Sequence, residues 1–412
     1  MKHTQSCRSC GTVLEHTFLD LGTSPFANSY VKIESVGEME PFFPLYVFVC
    51  SRCLLVQLKD CSTPQEIFSD YAYFSSFSDI WLQHAEAYTN MINERLKLDK
   101  HSLVVEVASN DGYLLQYFMK KGIPVLGIEP AENVARVAME KGVPTRVSFF
   151  GERSAQALVG EGMQADLLIG NNVLAHVPDL NDFVRGLNTL LKPQGVITME
   201  FPHVMRLMEE NQFDTIYHEH FSYFSFFSVE QVFRKHDLII FDVDELTTHG
   251  GSLRIYAKHA GDSSKTIAPR VAELHTREKL AGLEQLASYL SFSKKVHHTK
   301  RQLLSFLIQA RENGKTIVGY GAPAKGNTLL NYCGIRTDFI EYTVDRSPYK
   351  QNHFLPGTRI PIYHPDTIAE TKPDYVLILP WNIQDEVMSQ MAYVREWGCQ
   401  FIVPIPEVRT YS

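Results

Sequence analysis

Four of the seven cysteines in this 412-residue chain form two Cys-x-x-Cys pairs, Cys7 with Cys10 and Cys50 with Cys53, 39 residues apart. Turn-prone residues flank each pair (Arg8, Ser9 and Gly11; Ser51 and Arg52), so two knuckles can present four thiolates to one centre. A tetrahedron of sulfur suits Zn²⁺, whereas thiolate is too soft a donor for Mg²⁺ or Ca²⁺. With sulfur at all four positions no coordination site stays open, which makes the zinc structural. The competing reading, two redox-active pairs, is weaker because neither pair opens a thioredoxin-like βαβ unit. Cys61, Cys333 and Cys399 have no sequence partners and read as packing residues.

A second chemical cluster is DTIYHEHFSYFSFFS (214–228), which sets His218, Glu219 and His220 beside Tyr217 and Tyr223. Histidine titrates near neutrality and can remove a proton next to a ketone, while tyrosine or a protonated histidine can steady the enolate oxygen. A metal site built on His-x-His and an aromatic core are the bland alternatives. The HExxH spacing of a zinc hydrolase is absent.

The third cluster is EVASNDGYLL (106–115), a strand, a small-residue turn and a helix start. Doubly wound methyltransferases use such a turn, usually as Glu-x-Gly-x-Gly-x-Gly, to bring backbone close to their cofactor. Here Gly112 is the one glycine kept, with Ala108 and Asn110 in the earlier places. Asn tolerates the left-handed backbone region better than most residues. Glu129, 23 positions after Glu106, ends the next strand, where a carboxylate can accept from both ribose hydroxyls. Asn172, in GNNVLAH (170–176), ends a later strand at the same edge, and His176 follows on the expected substrate side. Glu106, Asn110, Gly112, Glu129 and Asn172 are therefore the expected cofactor residues. Asp111 near a helix start suits the amino group of S-adenosylmethionine better than a pyrophosphate. Lys325, in GYGAPAKGN (319–327), stands at an expected helix N-terminus, which favours anions such as a diphosphate. THGGSLRIY (248–256) adds His249 and a glycine pair, read as a tight turn.

The elements that must carry these residues follow from the hydrophobic pattern. FPLYVFVC (43–50) reads as a strand, and 81–98 as a helix. From 103 to 201 strands alternate with helices: LVVEVA (103–108), PVLGIEP (124–130), ADLLIGNNV (165–173) and VITMEF (196–201) are the strands, and 179–195 is a helix followed by a turn. That alternation implies a mainly parallel sheet flanked by helices. Residues 203–251 read as irregular and aromatic-rich, 252–260 as a strand, and about 265–312 as a polar helical stretch. A second βα pattern runs from TIVGYGA (316–322) through FIEYTVD and DYVLILPW (374–381) to CQFIVPIP (399–406).

Composition narrows the function. The net charge of −8 and the lack of a long Lys/Arg run argue against a nucleic-acid polymer as partner. There is no apolar run of 18 residues and no signal-like N-terminus, so a cytoplasmic protein with no membrane segment is expected. The lack of coiled-coil heptads suggests a monomer.

Taken together, the paired knuckles, EVASNDGYLL, GIEPAENVA, NNVLAHVPDL, IYHEHFSYFS, HGGSLR, GYGAPAKGNTLLN and VDRSPYKQNHFLPGTRIPI resemble the zinc-containing nucleotide-sugar C-methyltransferases that act at C3 of deoxysugars. The resemblance covers essentially the whole chain. It implies an α/β protein with a zinc-binding lobe (1–70), a central class I, Rossmann-like methyltransferase domain (71–300) and a smaller C-terminal Rossmann-like domain (301–412). It implies S-adenosylmethionine as methyl donor and a dTDP-linked 4-keto-6-deoxyhexose as acceptor, held between the last two domains. By motif, His220 is the base, Tyr217 and Glu219 assist in orientation or proton handling, Tyr71 and His176 line the substrate, and Lys325 meets the diphosphate. Two other function classes compete: an NAD-dependent nucleotide-sugar oxidoreductase built on Gly319-x-Gly321 with Asp345, and a non-catalytic zinc-anchored binding protein.

Overall fold

The computed structural model describes residues 5–59, 75–77 and 79–412; Tyr71 and Cys61 lie outside the described residues. The chain forms two compact units. The first takes the residues up to Leu14, Cys50–His203 and Phe221–Gln285; the second takes Glu15–Val49, Val204–His220 and Leu286–Ser412. Neither is continuous in sequence.

The first unit holds a seven-stranded sheet. Its strands are β1 (Val104–Val107), β2 (Val125–Glu129), β3 (Thr145–Val147), β4 (Ala165–Asn171), β5 (Leu191–Pro202), β6 (Leu238–Leu246) and β7 (Ser252–His259). They lie in the order β6-β7-β5-β4-β1-β2-β3. β5, β4, β1, β2 and β3 are parallel, and β7 runs antiparallel between β5 and β6. β1 is buried along its whole length, the pattern of a strand covered on both faces. Helix Leu180–Leu190 buries Leu180, Phe183, Val184, Leu187 and Leu190 at helical spacing, and the Asp179 carboxylate caps its start by accepting from the Asp182 N–H. The chain leaves β1 for the β2 side and returns to place β4 on the other. Ligands bind at the carboxyl ends of the strands at such a reversal.

Two departures from the sequence reading have physical causes. Residues 191–195, expected as a turn, already belong to β5. The region expected to be irregular holds helix Phe226–Arg234 and the strand β6. β-preferring phenylalanines hide that helix from a periodicity search. Its start is fixed by a reciprocal Ser225–Ser228 capping box, and the buried Glu278 carboxylate accepts from the N–H groups of Phe226 (2.6 Å) and Phe227 (2.8 Å). The polar stretch expected at 265–312 is two helices, Pro269–Leu280 in the first unit and Leu286–Glu312 in the second.

The second unit has a six-stranded sheet of β8 (Ile317–Tyr320), β9 (Thr343–Val344), β10 (Ile362–Tyr363), β11 (Tyr375–Ile378), β12 (Gln400–Val403) and β13 (Arg409–Tyr411). The order is β10-β9-β8-β11-β12-β13, parallel except for β13. An antiparallel ribbon, His16–Ser24 with Phe43–Val49, completes this unit, and Phe18 stacks on Phe292 of the long helix at 5.0 Å. Among the described residues no helix is long and apolar enough to cross a membrane.

Candidate active site and metal centre

The four knuckle cysteines converge within the first unit. Their sulfur atoms all lie within 4.8 Å of one another, with Cys7–Cys53 and Cys10–Cys50 at 3.5 Å. A tetrahedron with zinc–sulfur bonds of about 2.3 Å has sulfur–sulfur edges of about 3.8 Å, so the donor set fits zinc. The Gln57 amide donates to the Cys7 sulfur at 3.2 Å, and the Arg52 N–H to that of Cys50 at 3.4 Å. Such outer contacts orient thiolates and share their charge.

At the carboxyl end of β1 the turn does what its sequence alone does not require. Ala108 (φ 56°), Asn110 (φ 50°) and Gly112 (φ 74°) all adopt left-handed backbone, the three places where the usual methyltransferase turn has glycine. A Cβ on Gly112 would stand 2.8 Å from a Val143 methyl, so a side chain there would force Val143 to shift. Gly127 on β2 would likewise drive a Cβ to 2.4 Å from the Ser109 hydroxyl. The turn therefore sits directly on β2.

Glu129 braces it. One carboxylate oxygen accepts from the Asn110 N–H and the other from the Ala131 N–H, each at 2.9 Å. Burial raises its pKa against those two bonds. Glu106 is fully buried, and burial followed by the charge of Glu129 pushes its carboxyl well above the ordinary range. The Asn110 side-chain oxygen accepts from the Ser75 and Asp111 N–H groups, both at 3.0 Å. Asp111 is paired through Oδ2 with Lys141 at 3.0 Å. Its Oδ1 and the Oδ1 of Asn172 are buried and have no hydrogen-bond partner among the described residues. Asn172 is itself left-handed (φ 55°) and follows β4, the neighbour of β1. Left-handed turn, bracing acid and two unmatched buried acceptors fit a polar ligand with amino and hydroxyl groups, as S-adenosylmethionine has. His176 ends the short turn Leu174–His176 beyond them, half-buried.

The second unit carries the histidine-rich segment. Its two histidines part company. His218 is buried edge-on to the rings of Phe26 (5.5 Å) and Phe43 (6.0 Å), and burial draws its pKa down. His220 is half-buried, its Nδ1 lies 3.1 Å from the Thr215 carbonyl oxygen, and its ring centroid is 4.2 Å from that of Tyr217. Burial pushes Glu219 up to about 7, opposed by a 2.6 Å hydrogen bond from the Asn28 amide. Asn28 was not legible as a partner, since 191 positions separate the two residues.

Lys325 lies in the first turn of helix Ala324–Cys333, after β8. Its ammonium donates to the Asn382 side-chain oxygen at 2.7 Å and stands 4.5 Å above the Trp381 ring. Burial lowers its pKa to about 8, against the pull of Asp214. Asp214 is itself raised to about 6 by burial and accepts from the Trp381 indole N–H at 2.7 Å. Asp345, the ribose acid of an oxidoreductase reading, already accepts from the Ala322 (2.7 Å) and Ser347 (2.8 Å) N–H groups, with Lys350 at 3.6 Å.

Comparison with known proteins places these features. Residues 7–68 match a family model described as "Putative zinc binding domain", 81–242 a methyltransferase domain, and 247–406 a C-methyltransferase C-terminal domain. The C-methyltransferase NovU of Streptomyces niveus is 36% identical over 406 residues, covering 98% of this chain and 96% of that protein. The chain belongs to the zinc-containing, S-adenosylmethionine-dependent C-methyltransferase family. A ubiquinone biosynthesis O-methyltransferase of Bartonella tribocorum is 27% identical over 95 residues, 23% of this chain and 38% of that protein. A crystal structure of an S-adenosylmethionine-dependent methyltransferase from Clostridium acetobutylicum is 12% identical, covers 44% of this chain and 92% of that chain, and gives a TM-score of 0.35. This C-methyltransferase uses S-adenosylmethionine as methyl donor, and its four-cysteine cluster is the structural zinc centre.

Proposed function

We propose that this C-methyltransferase methylates C3 of a dTDP-linked 4-keto-6-deoxyhexose, in the cytoplasm and as a monomer, with His220 as the base. The hydrogen bond of His220 to the Thr215 carbonyl carries the reading. A carbonyl only accepts, so Nδ1 holds the ring proton and the lone pair is on Nε2, the tautomer a general base requires.

Nε2 takes the proton from C3 of the sugar. The C–H electron pair enters a C3–C4 double bond, and the C4 carbonyl pair moves to oxygen. S-adenosylmethionine, held by the residues assigned to it below, would supply an electrophilic methyl carbon to C3, the C–S bonding pair staying on sulfur. Glu219, raised to about 7 by burial, is about half protonated at neutral pH, its protonated form can donate, and Tyr217 packs on the imidazole. Lys325 is assigned the diphosphate, Tyr71 and His176 the sugar, and Glu106, Asn110, Gly112, Glu129 and Asn172 the cofactor.

The test is transfer from methyl-labelled S-adenosylmethionine to a panel of dTDP-4-keto-6-deoxyhexoses. Label should appear on carbon, and His220→Ala should lower the rate about 10³-fold with cofactor affinity unchanged. Full activity in that variant would remove His220 as the base. Label on oxygen, or none on any keto sugar, would remove the acceptor.

A further inference from the structure

The turn before β7 carries a histidine that the reading above does not use. Thr248–Gly251 lies at the carboxyl end of β5, since Ser252 pairs with Pro202. That is the ligand edge of the sheet. His249 has φ 55°, followed by Gly250 at 88° and Gly251 at 117°. Two of these three positions are glycine; the third carries an imidazole in a region that L-residues avoid. Strain of this kind persists only where surrounding structure imposes it.

The surroundings are specific. Glu200, on β5, is fully buried and accepts from Arg254 (2.9 Å) and from the Thr248 hydroxyl (3.0 Å), with His84 Nε2 at 3.0 Å. Burial alone would raise Glu200, but His84 and Arg254 outweigh it and hold the carboxyl below its ordinary range. The Trp81 ring stacks on His84 at 4.9 Å and meets His249 edge-on at 5.3 Å. A buried ion pair and an indole thus hold a turn whose histidine is solvent-exposed. A turn needing only compactness would be served better by glycine or asparagine at that position.

We propose that His249 is a substrate-contacting residue whose imidazole hydrogen-bonds an oxygen of the methyl acceptor. This rests on the keto-sugar reading of the site. Glu200, Arg254, His84 and Trp81 act through it as positioning residues.

The test compares His249→Gly and His249→Asn with the wild-type enzyme, using labelled S-adenosylmethionine and the accepted keto sugar. Glycine relieves the backbone, so the melting temperature should hold or rise and cofactor affinity should stay within twofold. Its kcat/KM for the acceptor should fall about tenfold or more. Asparagine tolerates the same backbone and keeps a donor, so it should recover part of the loss. A glycine variant as active as wild type overturns the proposal while leaving the acceptor reading intact. Wild-type enzyme that methylates no keto sugar overturns both. Loss of cofactor affinity along with activity would make the turn a support for the cofactor site and overturn the acceptor contact.

Discussion

Each unit of this C-methyltransferase opens its sheet with a strand, a small-residue turn and a helix, and the two turns differ in backbone and in the charged side chains beside them. After β1 the turn is left-handed at Ala108, Asn110 and Gly112, and the carboxyls of Glu106, Asp111 and Glu129 surround it. After β8 the turn has positive φ only at Gly321, and the lysines Lys325 and Lys350 stand beside it. Asp345 braces the second turn as Glu129 braces the first, by accepting a turn N–H. Shared architecture therefore does not by itself decide the ligand. An acid-rich turn suits a cofactor bearing sulfonium and ammonium groups, and a lysine-bearing turn suits a diphosphate.

The largest contrast between the two turns should come from their bracing acids. Glu129→Ala removes an acceptor from two backbone N–H groups and, on the proposed assignment, from the cofactor. It should weaken S-adenosylmethionine binding about 100-fold, or ~2.7 kcal/mol. Asp345→Ala should leave that affinity unchanged. Calorimetric titration of both variants checks the contrast, and equal losses would mean that the turns are not specialised.

Lys325→Met should raise the acceptor KM roughly 10- to 30-fold with little change in cofactor affinity, since it removes a charge assigned to the diphosphate. A change in cofactor affinity as large as the change in KM would place Lys325 elsewhere. The same residue predicts a pH dependence. Its pKa is drawn down to about 8 from the ordinary lysine range. Below pH 8 the ammonium is charged and an anion is held; above it the proton is lost. An unperturbed lysine would keep its charge up to about pH 10. Acceptor KM should therefore be level from pH 6.5 to 7.5 and several-fold higher at pH 9, while Lys325→Met stays level throughout. A level wild-type profile would exclude the lysine from acceptor binding.

Much of this contrast was legible in the sequence, for identifiable reasons. Buried apolar runs announced β1, β2 and β4, and the knuckle spacing announced the metal centre. Glu129 was singled out because it ends the second strand; that its carboxylate braces the turn through the Asn110 and Ala131 N–H groups was not legible. What stayed hidden depends on long-range pairing. Glu278 caps a helix 52 positions earlier, Asn28 donates to Glu219 across 191, and the Thr215 carbonyl beside His220 Nδ1 is a backbone atom with no sequence signature. That the rings of Phe26 and Phe43 close over His218 was equally invisible.

The smallest effect has a sign that separates the two turns. Ala108 holds φ 56°, where an L-residue costs about 1–2 kcal/mol relative to ordinary backbone. Glycine removes that strain but adds about 0.5–1 kcal/mol of unfolded-state entropy. Ala108→Gly should therefore stabilise the protein by roughly 0.5–1 kcal/mol, the difference of those two terms. Ala322, in the second turn, is fully buried and has no positive φ, so Ala322→Gly gains nothing from strain relief. It should destabilise by roughly 1 kcal/mol through entropy and the lost methyl. Denaturant midpoints of the two variants measure the difference. If Ala108→Gly also destabilises, the left-handed turn is not a strained version of the glycine turn, and the likeness to the usual methyltransferase loop would be one of sequence position only.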